Sequence, residues 1–149
     1  MLKRYGCAIA MALMVAGAGA GCGDDDEEAL SKAEYIKQGD AICKKAGADL
    51  EKEVEDMFPD LGPNEEPTEE QLTTFVDDAF KPNADGQLDD LRDLPPPEGD
   101  EDTLNGIYDG FEEAVATVED DPTILLEEDD PFEAPSQEAA DYGFKDCSE

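Results

Sequence analysis

The chain has 149 residues, 42 of them Asp or Glu against 10 Lys or Arg and no His, for a formal charge of -32. Such a polyanion repels nucleic acid, whose binding runs on Lys and Arg displacing counterions from phosphates. Without an imidazole there is no Ser-His-Asp triad, no HExxH zinc site and no histidine base at neutral pH. The length fits one domain.

Lys3 and Arg4 precede an uncharged run over 5–23, with its apolar heart at Ala8 to Ala18. A positive start, a short apolar stretch and small residues at the end read as an export signal over 1–21. The apolar heart falls short of the roughly 20 residues that span a bilayer. The run ends Gly19-Ala20-Gly21-Cys22, which resembles a bacterial lipobox, in which the Cys is acylated and becomes the first mature residue. Ala18-Gly19-Ala20 also fits the A-x-A pattern for an ordinary cut after Ala20.

Cysteine parity bears on this choice. Loss of Cys7 with the signal leaves Cys22, Cys43 and Cys147, an odd number that an exported protein must explain. Acylation of Cys22 leaves two that can pair. The expected mature chain, 22–149, carries 42 carboxylates and 8 basic side chains, a charge of -34. Only 24 of its 128 residues are Leu, Ile, Val or Phe, a share typical of disordered chains. Helical periodicity and a long-range disulfide argue for a fold instead.

The acidic run Asp24 to Glu28 reads as a self-repelling spacer, so that 22–30 is a lipidated Cys plus spacer and 31–149 the helical domain. From Gly23 to Leu30 it reaches at most about 26 Å. Ser31-Lys32-Ala33-Glu34 is a capping box that starts the first helix. Ile36, Cys43, Leu50 and Met57 recur every seven residues with Ile42, Ala46 and Val54 beside them, and Pro59 sets the end near Phe58. Gly39, Ala46 and Gly47 surround Cys43 with small residues although each interior Gly costs a helix about 1 kcal/mol. They predict a close approach of another segment: the C-terminal tail, which brings Cys147 to Cys43. That bridge closes a loop of roughly 105 residues.

Thr68 caps a second helix in the box Thr68-Glu69-Glu70-Gln71, with Leu72, Phe75, Val76, Ala79 and Phe80 on one face. Pro82 is expected to interrupt or kink it, with Leu88, Leu91 and Leu94 beyond and Pro95-Pro96-Pro97 as a stiff spacer. Asp100 is the expected cap of a third helix whose face is Leu104, Ile107, Tyr108, Phe111, Val115 and Val118, ended by Pro122. A fourth is expected from Asp130-Pro131 through Ala139, Ala140 and Tyr142 to a terminating Gly143, weakened by Pro135, with Phe144 folding back. Thr123-Ile124-Leu125-Leu126 is an apolar island among acids, either a plug that closes the core or a docking patch. The expected fold is all-α: a small bundle of about four helices stapled by one disulfide.

Charge is uneven: residues 31–58 hold five basic and seven acidic side chains, whereas 59–149 have only Lys81, Arg92 and Lys145 as cations. Carboxylate pairs for acid–base hydrolysis carry no information among so many. Placing Asp85-Gly86 in a calcium loop puts Lys81 at position one and Arg92 at position twelve; placing Asp109-Gly110 there puts Ile107 at three and Ala116 at twelve. Both forbid the site, and only weak, diffuse cation association is expected.

The stretches Leu30-Ser31-Lys32-Ala33-Glu34-Tyr35-Ile36 and Gly39-Asp40-Ala41-Ile42-Cys43 resemble small exported lipoproteins of high-GC Gram-positive bacteria. So do Leu94 to Pro97 with Gly99-Asp100-Glu101, and the ending Asp141-Tyr142-Gly143-Phe144-Lys145-Asp146-Cys147. The resemblance implies a lipid-tethered helical domain with the two Cys joined, and brings no assigned activity, so no functional residue carries over. The resulting expectation is a non-catalytic interaction module without cofactor or resident metal, on the outer face of the cell membrane. Its partners are the membrane through the lipid on Cys22 and an envelope protein or small ligand. The alternatives are an acidic surface protein that gathers cations and, third, a carboxylate-based hydrolase.

Overall fold

A computed structural model describes residues 29–62, 65–127 and 130–148. The expected signal peptide, Cys22 and the run to Glu28 expected to form the spacer lie outside the described residues. Helices α1 (Lys32–Met57), α2 (Glu69–Phe75), α3 (Lys81–Arg92), α4 (Glu101–Asp120) and α5 (Glu133–Tyr142) account for most of what is described, with no strand among those residues. A π turn, Val76–Phe80, joins α2 to α3 without a break, so the architecture is four helices, all-α as expected.

Ser31 caps α1, its hydroxyl accepting from the Glu34 N–H at 3.3 Å; the last helical bond runs from Phe58 N–H to Val54 O, one residue before Pro59. At 1.5 Å per residue α1 is about 39 Å long. Its buried side is Tyr35, Gly39, Cys43 and Ala46, with Ile36, Ile42, Leu50 and Met57 half-buried. The expected stripe is therefore rotated. Tyr35 replaces Ile36 as the deepest residue, and Val54 is 37% exposed, because a strict seven-residue repeat drifts round a helix of 3.6 residues per turn.

The box at Thr68 forms both of its bonds. Pro82 neither interrupts nor ends the helix. Its ring has no N–H to donate and crowds the carbonyl four residues back; the ladder widens just before it, and Lys81 N–H bonds Val76 O, five residues away. This π turn absorbs the proline. From α3, the Asn83 amide donates to Ala46 O at 3.0 Å and the Gln87 amide to Cys43 Sγ at 3.1 Å, which fastens α3 along α1.

Two apolar clusters fill the bundle. The first joins Tyr35, Cys43, Leu88, Leu91, Leu104, Ile107, Tyr108, Ala139, Tyr142, Phe144 and Cys147. The second centres on Phe75, Val76, Ala79 and Val118, with Phe58, Phe80, Ile124, Leu125 and Phe132 packed around them. The 3-10 turn Pro122–Leu126 thus acts as a plug on the second cluster. Only Leu126 of the island stays largely exposed, at 48%. Leu125→Ala is expected to lower stability by about 2 kcal/mol, the low end for such truncations because the site is half-exposed. A urea melt checks this; an unchanged midpoint would remove the plug.

Pro135 does not weaken α5. It lies in the first turn, where an N–H would have no intrahelical partner, and it packs on Gly110, whose missing Cβ would meet the Pro135 Cβ at 3.2 Å. The helix starts later than expected: Asp130 Oδ1 accepts from Phe132 N–H at 2.8 Å and closes a turn, and helical geometry begins at Glu133.

Candidate functional site

Cys43 and Cys147 are the covalent join between α1 and the tail. Their Cα atoms are 5.1 Å apart across the disulfide. Three features bring the tail there. Gly143, with φ of 124°, ends α5; a side chain is strained in that region. The Phe144 N–H then returns to Ala139 O at 3.0 Å, which turns the chain back. The Phe144 ring enters the notch at Gly39, where an added Cβ would lie 2.5 Å from it.

Asp40 completes the join. Its Oδ1 accepts from the Lys145 and Asp146 N–H groups at 2.8 and 3.0 Å, two charge-assisted bonds to successive amides. Sequence reasoning missed Asp40, since nothing marks it among 42 carboxylates. Gly47 takes no part; nothing lies within 4 Å of a Cβ there. Of the small residues around Cys43, Gly39 and Ala46 are buried and Gly47 is not.

A cleft of about 240 Å³ opens beside the first cluster, between Leu94, Pro96 and the first two turns of α4. Its floor is Tyr35 and Tyr108, whose hydroxyls are 2.6 Å apart; Tyr35 donates onward to Leu91 O at 3.4 Å, so Tyr108 is the donor to Tyr35. Arg92 forms one wall, over the Tyr108 ring and paired with Asp109 at 3.0 Å and with Glu112. Nearby, Asp100 departs from its expected role. It makes no side-chain cap on α4 and instead accepts from the Tyr142 hydroxyl at 2.8 Å, with Lys32 Nζ at 3.8 Å.

Burial, then the bond to Tyr35, pushes the Tyr108 phenol far above its ordinary value. Burial and the Asp100 carboxylate do the same to Tyr142, and burial raises Tyr35 against the opposing bond from Tyr108. A phenol of raised folded pKa keeps its proton after the unfolded chain has released it, so the folded state holds more protons above about pH 10. Stability from these groups is complete below that pH and falls as pH rises through the folded values. Urea midpoints are expected to drop steeply above pH 10, and Y108F with Y142F to flatten that fall. An equal slope in the double variant would remove the phenols as its cause.

The chain matches no protein-family model, no curated protein and no solved structure. The local chemistry therefore stands on its own. Asp85 is paired with Lys81 at 3.1 Å and Asp109 with Arg92, and among the described residues no group of three His, Cys, Asp or Glu side chains converges as a metal site. Arg92, Tyr35, Tyr108, Asp100 and Asp40 each bond or pair with another part of the same chain. Their arrangement holds helices and tail together and leaves a small, largely apolar cleft at the α4 end.

Proposed function

We propose that the protein is a lipid-anchored, extracytoplasmic interaction module of the cell envelope, tethered through Cys22 and held rigid by its disulfide. The observation that carries the reading is the Cys43–Cys147 bond. Disulfides persist outside the reducing cytosol, and this one uses two of the three cysteines that follow residue 21. Cys22 is the one left over, at the end of an apolar export signal, in the position where an acylated thiol belongs. The group of exported lipoproteins that the sequence resembles supports the same assignment.

An interaction role rather than catalysis is favoured because Tyr35, Tyr108 and Arg92 at the floor and wall of the cleft are engaged in holding the bundle. The cleft offers Leu94, Pro96 and Leu104 as apolar walls with Asn105 and Glu101 at its rim, a surface for a small ligand or a partner's side chain.

Expression of the full chain in a host with lipoprotein processing tests the anchor. The mature protein is expected to partition into the detergent phase, with an intact mass carrying fatty chains on Cys22 and one bonded thiol pair. C22A is expected to move it to the aqueous phase. Aqueous partitioning of the parent chain would overturn the reading.

A further inference from the structure

The cleft beside the first cluster is cut along one line of α4. Glu101, Leu104, Asn105 and Tyr108 stand at i, i+3, i+4 and i+7, the spacing that aligns side chains on a helix. Leu94 and Pro96 close the opposite side. The line grades from wet to dry: Glu101 and Asn105 are exposed at the rim, whereas Leu104 and Tyr108 are 2% and 3% exposed.

Two polar groups of this line have bonding capacity to spare. The Tyr108 hydroxyl donates to Tyr35, and its oxygen accepts no bond among the described residues, although a phenol oxygen can do both. Glu101 enters no ion pair among those residues. The surroundings are negative with their ion pairs counted in. Arg92 in the wall is held by Asp109 and Glu112, and Lys32, one turn before Tyr35, by Asp100. With Glu101 that makes four carboxylates against two cations.

We propose that the cleft binds a small aromatic amine with a hydroxyl at the far end of its ring. The ring lies between Leu94, Pro96 and Leu104, the ammonium meets Glu101 at the rim, and the hydroxyl donates to the Tyr108 oxygen at the floor. From Glu101 to Tyr108 the helix rises about 10 Å, a span that tyramine matches from hydroxyl to ammonium. A volume of about 240 Å³ lies below the range of drug-sized sites and suits a molecule of that size. The inference deepens the interaction role proposed above and rests on the cleft, not on the lipid at Cys22.

The full chain carrying C22A, labelled at its Leu methyls, is titrated with tyramine and followed by NMR. The Leu94 and Leu104 methyls are expected to shift saturably, with a dissociation constant below about 1 mM, while Leu125 on the second cluster stays still. Phenethylamine, which lacks the hydroxyl, is expected to bind about fivefold more weakly, and Y108F to erase that difference. E101Q is expected to weaken both amines by about threefold. Hydroxyphenylpropionate, an anion of the same shape, is expected to bind at least about tenfold more weakly than tyramine. Thermal melts establish that each variant is folded, and the ligand series on the C22A chain needs neither of the cleft variants.

Shifts spread evenly over the methyls, or methylammonium matching tyramine, would mean diffuse cation association and overturn the site, as would no saturable shift. Equal binding of the propionate overturns the amine. A hydroxyl preference that survives in folded Y108F overturns the part given to Tyr108. None of these results bears on the phase partitioning that tests the anchor.

Discussion

Loss of the Cys43–Cys147 bond is expected to be the most damaging single event this fold can suffer. On the chain-entropy model a loop of roughly 100 residues contributes about 4.7 kcal/mol by restricting the unfolded chain. Small domains hold a total of about 5–15 kcal/mol, and this one has a thin interior and strong self-repulsion. C43S/C147S, or the parent chain under reductant, is expected to lose about 4 kcal/mol, near 15 °C in melting temperature for a domain of this size. The remaining fold should depend on salt, since screening relieves the repulsion among carboxylates. Thermal melts followed at 222 nm in low and high salt check both statements. A shift below about 1 kcal/mol would mean that Asp40 and Phe144 hold the tail without the bond.

The second large effect separates two glycines of α1 that look alike in sequence. Gly39→Ala adds a Cβ 2.5 Å from the Phe144 ring and 3.3 Å from Leu91 Cδ2. The ring has no easy retreat, being packed against Tyr35 and Tyr142 with centroids at 6.2 and 5.3 Å. Overpacking of this kind costs about 1–3 kcal/mol, after the gain of helix propensity is set against it. Gly47→Ala meets nothing within 4 Å and is expected to stabilise α1 by about 0.5–1 kcal/mol. The test is the sign: denaturant midpoints should move in opposite directions. If both variants move the same way, the close approach of the tail at Gly39 is wrong.

These two results bear on how the tail is held. Cys147 is brought to Cys43 by three features: the positive-φ Gly143 that reverses the chain, the Phe144 ring in the Gly39 notch, and the Asp40 carboxylate under two amides. Each acts on a tail segment of only a few residues. A short segment contributes little apolar area, so its docking depends on this combination of notch, charge-assisted bonds and covalent closure.

The amino-acid sequence by itself determined the helical class, the caps at Ser31 and Thr68 and the terminating Gly143. These are local properties: a hydroxyl within reach of its own backbone, an apolar period, a residue that readily takes positive φ. Tertiary structure alone decided the rest. Whether Pro82 breaks a helix depends on the π turn before it, which absorbs the ring while Phe75, Val76 and Ala79 stay buried on the second cluster. Whether Asp100 caps its own helix depends on where the Tyr142 hydroxyl, 42 residues away, comes to lie. Asp40 is one carboxylate among many until the tail arrives above it. A carboxylate or a glycine has the same intrinsic chemistry wherever it stands, and its role is set by what the fold places within about 3 Å of it.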